Sequence, residues 1–184
     1  METARKKNVI LMGFKGCGKT TVGEALAAGL GVAFVDTDRL MEEIYAGREG
    51  APLTCREIFR ERGEGFFRAL ERAALERACE SKEAVIALGG GAIEHPDLLS
   101  RLRMDGFVIY LQVNSEELFR RIEQQGLPPF LSPENPREDF EELLKKRLSR
   151  YEEWADEKVS NGGRAVSEVV SEIAALVGGK YAGE

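Results

Sequence analysis

Short apolar runs alternate with segments of helical periodicity along most of the chain. Residues 8–12 form a compact apolar run that ends at Gly13, and residues 19–30 carry apolar side chains at helical spacing. This order predicts a strand, a glycine-rich loop and a helix.

The same alternation recurs four times. Further strands are predicted at residues 33–36, 84–88 and 107–113 and, more weakly, at 158–160, each followed by a helix, at 37–45, 96–104, 115–125 and 166–177. Near-continuous apolar strands separated by helices are typical of a parallel sheet covered on both faces. We therefore predict a doubly wound α/β fold, a three-layer α/β/α sandwich around a five-stranded parallel sheet.

Two stretches interrupt this alternation. Between residues 47 and 81 the pattern is helical without a strand: Thr54 and Glu57 have capping-box spacing, and residues 65–81 favour a long helix. Between residues 124 and 137, one glycine and four prolines favour a mobile surface loop. We expect both stretches to handle substrate.

Composition narrows the class of protein. A chain of 184 residues with 43% hydrophobic and 32% charged residues fits one soluble globular domain over residues 1–184. The net charge of -6 disfavours general attraction to nucleic acid or to an anionic membrane. The three cysteines have no metal-site or disulfide spacing, and no apolar run has the length of a signal-peptide core or a membrane helix. We expect a cytoplasmic protein that binds anions locally.

The segment 13–20 carries the strongest chemical signal. Its sequence, GFKGCGKT, matches the phosphate-binding pattern G-x-x-x-x-G-K-[ST] and lies between a predicted strand and a predicted helix. Backbone N–H groups and the helix N-terminus attract phosphate, Lys19 can reach the β- and γ-phosphates, and the Thr20 hydroxyl can ligate Mg²⁺. A glycine-rich turn without a ligand is the alternative.

Two more clusters follow predicted strands. Asp36 and Asp38 end the second strand, where one carboxylate can hold the Mg²⁺ shell and the other can take the proton of an acceptor hydroxyl. A helix N-cap is the alternative role. The glycines 89–91 end the third strand and either open N–H groups to a ligand or make a tight turn.

Pattern alone places the remaining candidates in solvent. Arg68 is expected on a solvated helix face or in an ion pair with Glu71, three residues later. Arg147 and Arg150 are expected on a solvated face as well. His95, the single histidine, is expected on the surface.

Taken in order, these motifs resemble those of the shikimate kinases. The resemblance rests on the phosphate loop, the Asp-Thr-Asp and triple-glycine elements, the segment EGFFR at 64–68 with Glu71, and Arg147 followed by Tyr151 and Asp156. It runs over nearly the whole chain. That family has a P-loop sandwich of the nucleoside-monophosphate-kinase type with a helical substrate-binding insertion, here about residues 37–81, and a flexible lid, here about residues 123–137.

The resemblance implies that ATP phosphorylates the 3-hydroxyl of shikimate, with Mg²⁺ as cofactor, on a monomeric enzyme. Lys19 and Asp38 would be catalytic, and Thr20 and Asp36 would hold the metal. The implied nucleotide-binding positions are Gly13, Lys15, Gly16, Cys17, Gly18, Lys19, Thr20, Thr21 and Arg121, the last of which would stack on adenine. The implied substrate-binding positions are Asp38, Phe59, Phe67, Arg68, Gly89, Gly90, Gly91 and Arg147, with the two arginines clamping the carboxylate.

One position departs from the family pattern. The lid of the family usually carries Arg-Pro-Leu-Leu, and an ungapped alignment from Tyr110 puts Pro128 at the place of the arginine. A cation that reaches the transferring phosphate contributes orders of magnitude in rate, so Lys15 and Arg137 are candidates to replace it. Two alternatives stay open: a kinase for another hydroxy-acid such as gluconate, and a nucleotide-binding regulatory module without catalysis.

Overall fold

The computed structural model describes residues 8–181. Five parallel strands form one sheet in the order β2-β3-β1-β4-β5. The strands are β1 Asn8–Met12, β2 Ala33–Asp36, β3 Ala84–Ala87, β4 Gly106–Gln112 and β5 Glu157–Ser160. The helices are α1 Lys19–Leu30, α2 Thr37–Glu49, α3 Cys55–Ala78, α4 Pro96–Asp105, α5 Ser115–Gln124, α6 Pro136–Trp154 and α7 Val166–Tyr181, with a short 3-10 helix at Ala92–Glu94.

The sheet confirms the predicted α/β/α sandwich. Strand β1 lies at its centre, paired with β3 on one side and β4 on the other, and all five of its residues are buried. This double coverage explains why the central strands are apolar at consecutive positions rather than at alternate ones. Helices α1 and α7 pack against each other, and α4 and α6 both contact β4.

The helical interruption after β2 has a small core of its own. Buried side chains of α2 and α3 meet there, namely Met41, Tyr45, Ile58, Leu70 and Ala74. Helix α3 starts with the predicted capping box, in which the Thr54 hydroxyl accepts from the Glu57 N–H and the Glu57 carboxylate accepts from the Thr54 N–H. Gly63 breaks the helix with φ 76° and ψ 174°, which a residue with a side chain adopts only under strain.

Helix α6 was not assigned from the sequence. Its buried positions are Phe140, Arg147 and Tyr151, so a charged side chain stands in the middle of the inward stripe. Leu143 and Leu144, which pack against the core, keep helical spacing with Phe140 and Tyr151, so the apolar periodicity of this segment is present in the sequence. Among the described residues, no helix is long and apolar enough to span a membrane.

The central strand generates the first prediction. Leu11 is completely buried in β1, so Leu11→Ala should lower the free energy of unfolding by about 2–5 kcal/mol through lost apolar contact and a residual cavity. Leu30, on α1, is 40% exposed, and Leu30→Ala should change stability by about 0.5 kcal/mol or less. Urea unfolding of both variants measures the difference, and equal losses would contradict the core assignment.

Candidate active site

A cavity of about 380 Å³ lies at the carboxyl ends of the central strands. Its wall is formed by the phosphate loop, the start of α2, the part of α3 up to Glu71, the residues that follow β3, the lid and α6. The lining residues predicted from sequence are Lys15, Gly16, Gly18, Lys19, Thr20, Thr21, Asp36, Asp38, Phe59, Phe67, Arg68, Gly90, Gly91, Arg121 and Arg147. The position fits the general rule that parallel α/β sheets bind ligands beyond the carboxyl ends of their strands.

The phosphate loop has the conformation that its glycines allow. Gly16 and Gly18 have φ values of 85° and 93°, in the left-handed region that favours glycine. The Lys19 ammonium donates to the carbonyl oxygens of Gly13 at 2.8 Å and Phe14 at 3.0 Å, which ties the loop across its own base. No side chain caps the N-terminus of α1, so its first N–H groups are available to an anion.

Asp36 caps α2, the alternative role weighed for it, and also contacts Thr20. One carboxylate oxygen caps α2 by accepting from the Asp38 N–H at 2.9 Å, and the other accepts from the Thr20 hydroxyl at 2.8 Å. A hydroxyl and a carboxylate in contact are hard oxygen donors of the kind that Mg²⁺ prefers beside nucleotide phosphates. The described residues contain no cluster of three or more His, Cys, Asp or Glu side chains fit for a metal.

Asp38 is a desolvated carboxyl group. Burial raises its pKa above the ordinary value of 3.8, and the negative charge of Asp36 adds to the increase, while Lys19 and Lys15 act against it. Gly89 leaves room for this group, because a Cβ there would lie 2.6 Å from an Asp38 carboxylate oxygen. A raised pKa makes the carboxylate a stronger base for a proton within reach.

Arg68 reaches the cavity from α3. Its guanidinium forms an ion pair with the buried Glu71 carboxylate at 2.9 Å and a longer one with Glu64 at 3.4 Å, as the i,i+3 spacing to Glu71 predicts. Gly91 leaves room for this ion pair, because a Cβ there would overlap the charged ends of Arg68 and Glu71 and displace them.

Arg147 is buried, not solvated, so the expectation from helical pattern was wrong. Only 7% of it is exposed, and its Nε has no hydrogen-bond partner among the described residues. The guanidinium carbon stands 5.7 Å from the Phe14 ring centroid, and a Cβ on Gly90 would be 3.7 Å from one of its terminal nitrogens. Tyr151, one turn later, fixes the loop by donating to the Gly90 carbonyl at 2.9 Å.

His95 also departs from expectation. Its side chain is 12% exposed, not on the surface, and its Nε2 stands 3.4 Å from the Glu71 carboxylate. The tight turn that follows the triple glycine folds His95 back towards α3, which the sequence pattern does not disclose. Arg150 is exposed as expected, in an ion pair with Glu94 at 2.6 Å.

Three of the implied binding positions do not line the cavity. Cys17 turns its side chain into the core, where it is 1% exposed. Gly13 contacts the rest of the loop through its carbonyl, which accepts from the Lys19 ammonium. The Gly89 N–H donates to the Thr37 hydroxyl at 2.7 Å. Arg121 does line the cavity, held by the Glu117 carboxylate at 2.6 Å and the Asn161 carbonyl at 3.0 Å.

The cavity also has lining residues to which the sequence assigned no binding role. They are Cys55, Arg56, Glu71, Ala87, Leu88, Gln125, Pro129 and Phe130, together with Pro128 of the lid. Arg56 donates to the Gly126 carbonyl at 2.7 Å and so joins α3 to the lid. Of these residues, only Glu71 could have been found from the sequence, because its i,i+3 spacing from Arg68 indicates an ion pair.

Comparison with known proteins agrees with this geometry. A sequence model described as Shikimate kinase matches residues 15–177. The chain belongs to the shikimate kinase family. A shikimate kinase of Caldanaerobacter subterraneus subsp. tengcongensis is 38% identical over 167 residues, which cover 91% of this chain and 94% of the relative.

Solved structures of shikimate kinases share the fold. The shikimate kinase from Acinetobacter baumannii, solved in complex with shikimate, matches with a TM-score of 0.83 and 34% identity over 93% of this chain and 92% of that one. A gluconokinase from Sinorhizobium meliloti matches with a TM-score of 0.51 and 21% identity over 94% of this chain and 92% of that one, a likeness of fold alone.

Asp38 generates a stability prediction. Because its pKa is raised in the folded state, the folded protein binds the proton more tightly than the unfolded chain, and stability falls as the pH rises through the raised value. Asp38→Asn removes the buried charge and should raise the free energy of unfolding at pH 7 by about 1–3 kcal/mol. Urea unfolding without ligands should show this gain shrinking as the pH is lowered.

The matched control is Asp97, an exposed carboxyl group. Its hydrogen bond with Arg72 lowers its pKa, so Asp97→Asn should lower stability at neutral pH instead of raising it. Stabilisation by both substitutions would show that the gain does not come from burial of Asp38.

Proposed function

We propose that this protein transfers the γ-phosphate of ATP to the 3-hydroxyl of shikimate. The observation that carries the proposal is the pairing of a buried guanidinium without a ligand for its Nε, that of Arg147, with a desolvated carboxyl group, that of Asp38, in one cavity beside a phosphate loop. The Arg147 guanidinium is suited to bind an anion, the Asp38 carboxylate to accept a proton, and the loop to bind a polyphosphate.

Arg147 and Arg68 support a small carboxylic acid as the acceptor. A buried charge is costly unless it is paired and hydrogen-bonded, so a guanidinium that is 7% exposed favours an anionic ligand. A guanidinium binds a carboxylate through two parallel hydrogen bonds, which fixes orientation as well as affinity. The Phe59 and Phe67 rings, 5.4 Å apart and nearly perpendicular, provide an apolar wall for a carbocyclic ring.

Asp38 is the group that prepares the acceptor. Its carboxylate orients the hydroxyl and accepts the proton as the oxygen attacks the γ-phosphorus. The new O–P bond forms while the bond from the γ-phosphorus to the β,γ-bridging oxygen breaks, and the electron pair of that bond leaves with ADP. Lys19 leaves the carbonyls of the loop to neutralise charge on the phosphates.

Thr20 and Asp36 are the residues that would hold Mg²⁺. Bound there with the nucleotide, the ion would supply positive charge that offsets the negative charge of the phosphates. Arg121, which lines the cavity and is held by the Glu117 carboxylate, would stack on the adenine ring.

We infer that the enzyme acts as a cytoplasmic monomer on these two small substrates. Every group assigned above comes from one chain and lines one cavity, so the site needs no residue from a second copy. The net charge of -6 and the free thiols of the three cysteines fit such a setting.

An assay of ADP release with ATP, Mg²⁺ and shikimate tests the function. We expect turnover that depends on shikimate and exceeds that with gluconate in kcat/KM, while Asp38→Asn retains ATP binding and loses about 100-fold or more in kcat. A higher kcat/KM for gluconate would reassign the acceptor. Tight ATP binding without turnover on any hydroxy-acid would favour the regulatory module.

Two arginines on α6 give a matched test of the carboxylate clamp. Arg147→Met removes charged hydrogen bonds worth about 1.5–3 kcal/mol, so KM for shikimate should rise about 10- to 100-fold while KM for ATP changes little. Arg150→Met, in the exposed ion pair with Glu94, should leave both constants within about twofold. Steady-state kinetics with each substrate varied separates the two, and equal effects would remove Arg147 from the clamp.

A further inference from the structure

The lid of this chain has no cation to offer the transferring phosphate. Residues 126–135 read GLPPFLSPEN and include neither lysine nor arginine. The positive side chains that line the cavity all come from other elements, namely Lys15, Lys19, Arg56, Arg68, Arg121 and Arg147. One of these has to meet the charge that develops on the γ-phosphoryl group.

Arg137, a candidate from sequence, lies elsewhere. It forms ion pairs with Glu116 and Glu141 on the surface, and its guanidinium carbon stands 5.3 Å from the Phe119 ring centroid. It lines a separate shallow groove and not the cavity of the phosphate loop. The structure therefore contradicts a role for Arg137 at the phosphate.

Most positively charged side chains of the cavity already have a partner or a proposed role. Arg68 is paired with Glu71, and Arg121 with Glu117. Arg56 donates to the Gly126 carbonyl at the base of the lid. Lys19 and Arg147 serve the nucleotide and the acceptor carboxylate in the proposed function.

Lys15 differs from all of them. It is half-buried in the third position of the phosphate loop, and within the described part of the chain its ammonium has neither a hydrogen bond nor an ion pair. Its backbone nitrogen would be 3.5 Å from a Cβ on Gly90, so the loop brings Lys15 against the wall of the acceptor pocket. Lys15 thus stands at the junction between the phosphate loop and the acceptor side.

The cavity lining agrees with that position. Lys15 lines the same cavity as Asp38, the proposed base, and as Cys55 at the start of α3. Arg56, which is adjacent to Cys55 in sequence, lines the cavity as well but is held by the Gly126 carbonyl.

We propose that Lys15 is a catalytic residue that replaces the missing lid arginine by contacting the γ-phosphoryl oxygens during transfer. This inference rests on the proposed function. Lys15 keeps its three protons throughout: the acceptor proton passes to Asp38, and the electron pair of the broken P–O bond passes to ADP. Its contribution is fixed positive charge, placed between two negative groups, the Asp38 carboxylate and the γ-phosphate, that otherwise repel each other.

Replacement of Lys15 tests the proposal. Lys15→Met should lower kcat about 100- to 1000-fold while the affinities for shikimate and ADP stay within about threefold, because the contact forms mainly in the transition state. Lys15→Arg retains the charge and should keep kcat within about tenfold of the wild type. Thermal unfolding of each variant establishes that it is folded, and Arg137→Met is the control cation, expected to match the wild type.

A transition-state mimic gives a second readout. Calorimetric titration with ADP, aluminium fluoride and shikimate should show Lys15→Met weakening the mimic by the same factor as kcat/KM, with ADP alone little changed. Adding the lid cation back, as Lys15→Met with Pro128→Arg, should recover at least tenfold of the loss, and no recovery would contradict a shared role for the two positions.

The outcomes separate this inference from the function on which it rests. A wild type that does not phosphorylate shikimate overturns the proposed function, whereas Lys15→Met with wild-type kcat and wild-type affinity for the mimic overturns the role of Lys15. A loss of kcat in Arg56→Met but not in Lys15→Met would likewise overturn it, by assigning the phosphate contact to Arg56.

Discussion

The carboxylate of Asp36 ties the two halves of the site together. By accepting from the Thr20 hydroxyl and from the Asp38 N–H, it fixes the start of α1, the proposed phosphate site, relative to the start of α2, which carries the proposed base Asp38. Hydrogen bonds between the starts of two helices, rather than a loop, therefore fix the relative positions of these two groups. Such positioning is valuable in phosphoryl transfer, where alignment and charge supply most of the catalysis.

Around the hydrogen bonds of Asp36 lie several charged groups that have few protein partners. Asp38 is a half-buried carboxyl group whose pKa is raised by desolvation, Arg147 is a buried guanidinium with an unpaired Nε, and Lys15 has no counter-ion among the described residues. Each is unfavourable alone, and together they match a set of substrates that carries the complementary charges. Such poorly compensated charges are typical of functional sites, where stability is sacrificed for groups that act on the substrates.

Sequence reasoning recovered what local pattern encodes. The five strands, the phosphate loop and the capping box at Thr54 follow from contiguous residues, and the structure agrees with each. It failed for Arg147 and His95, because both are buried by partners distant in the chain, Phe14 and Glu71. The cavity-facing role of Arg56 was missed for the same reason, since one arginine among many on charged helices gives no local signal.

The second half of the lid belongs to the core. Leu131 is 4% exposed, the Ser132 N–H donates to the Asp139 carboxylate at 2.7 Å, and Phe140 packs edge-on against Phe14 of the phosphate loop. Within residues 126–130, Leu127 packs against the same core and Pro128 is buried. Since ordering the backbone costs about 1–2 kcal/mol for each residue, a lid that the core already holds in place spares the substrates most of that cost.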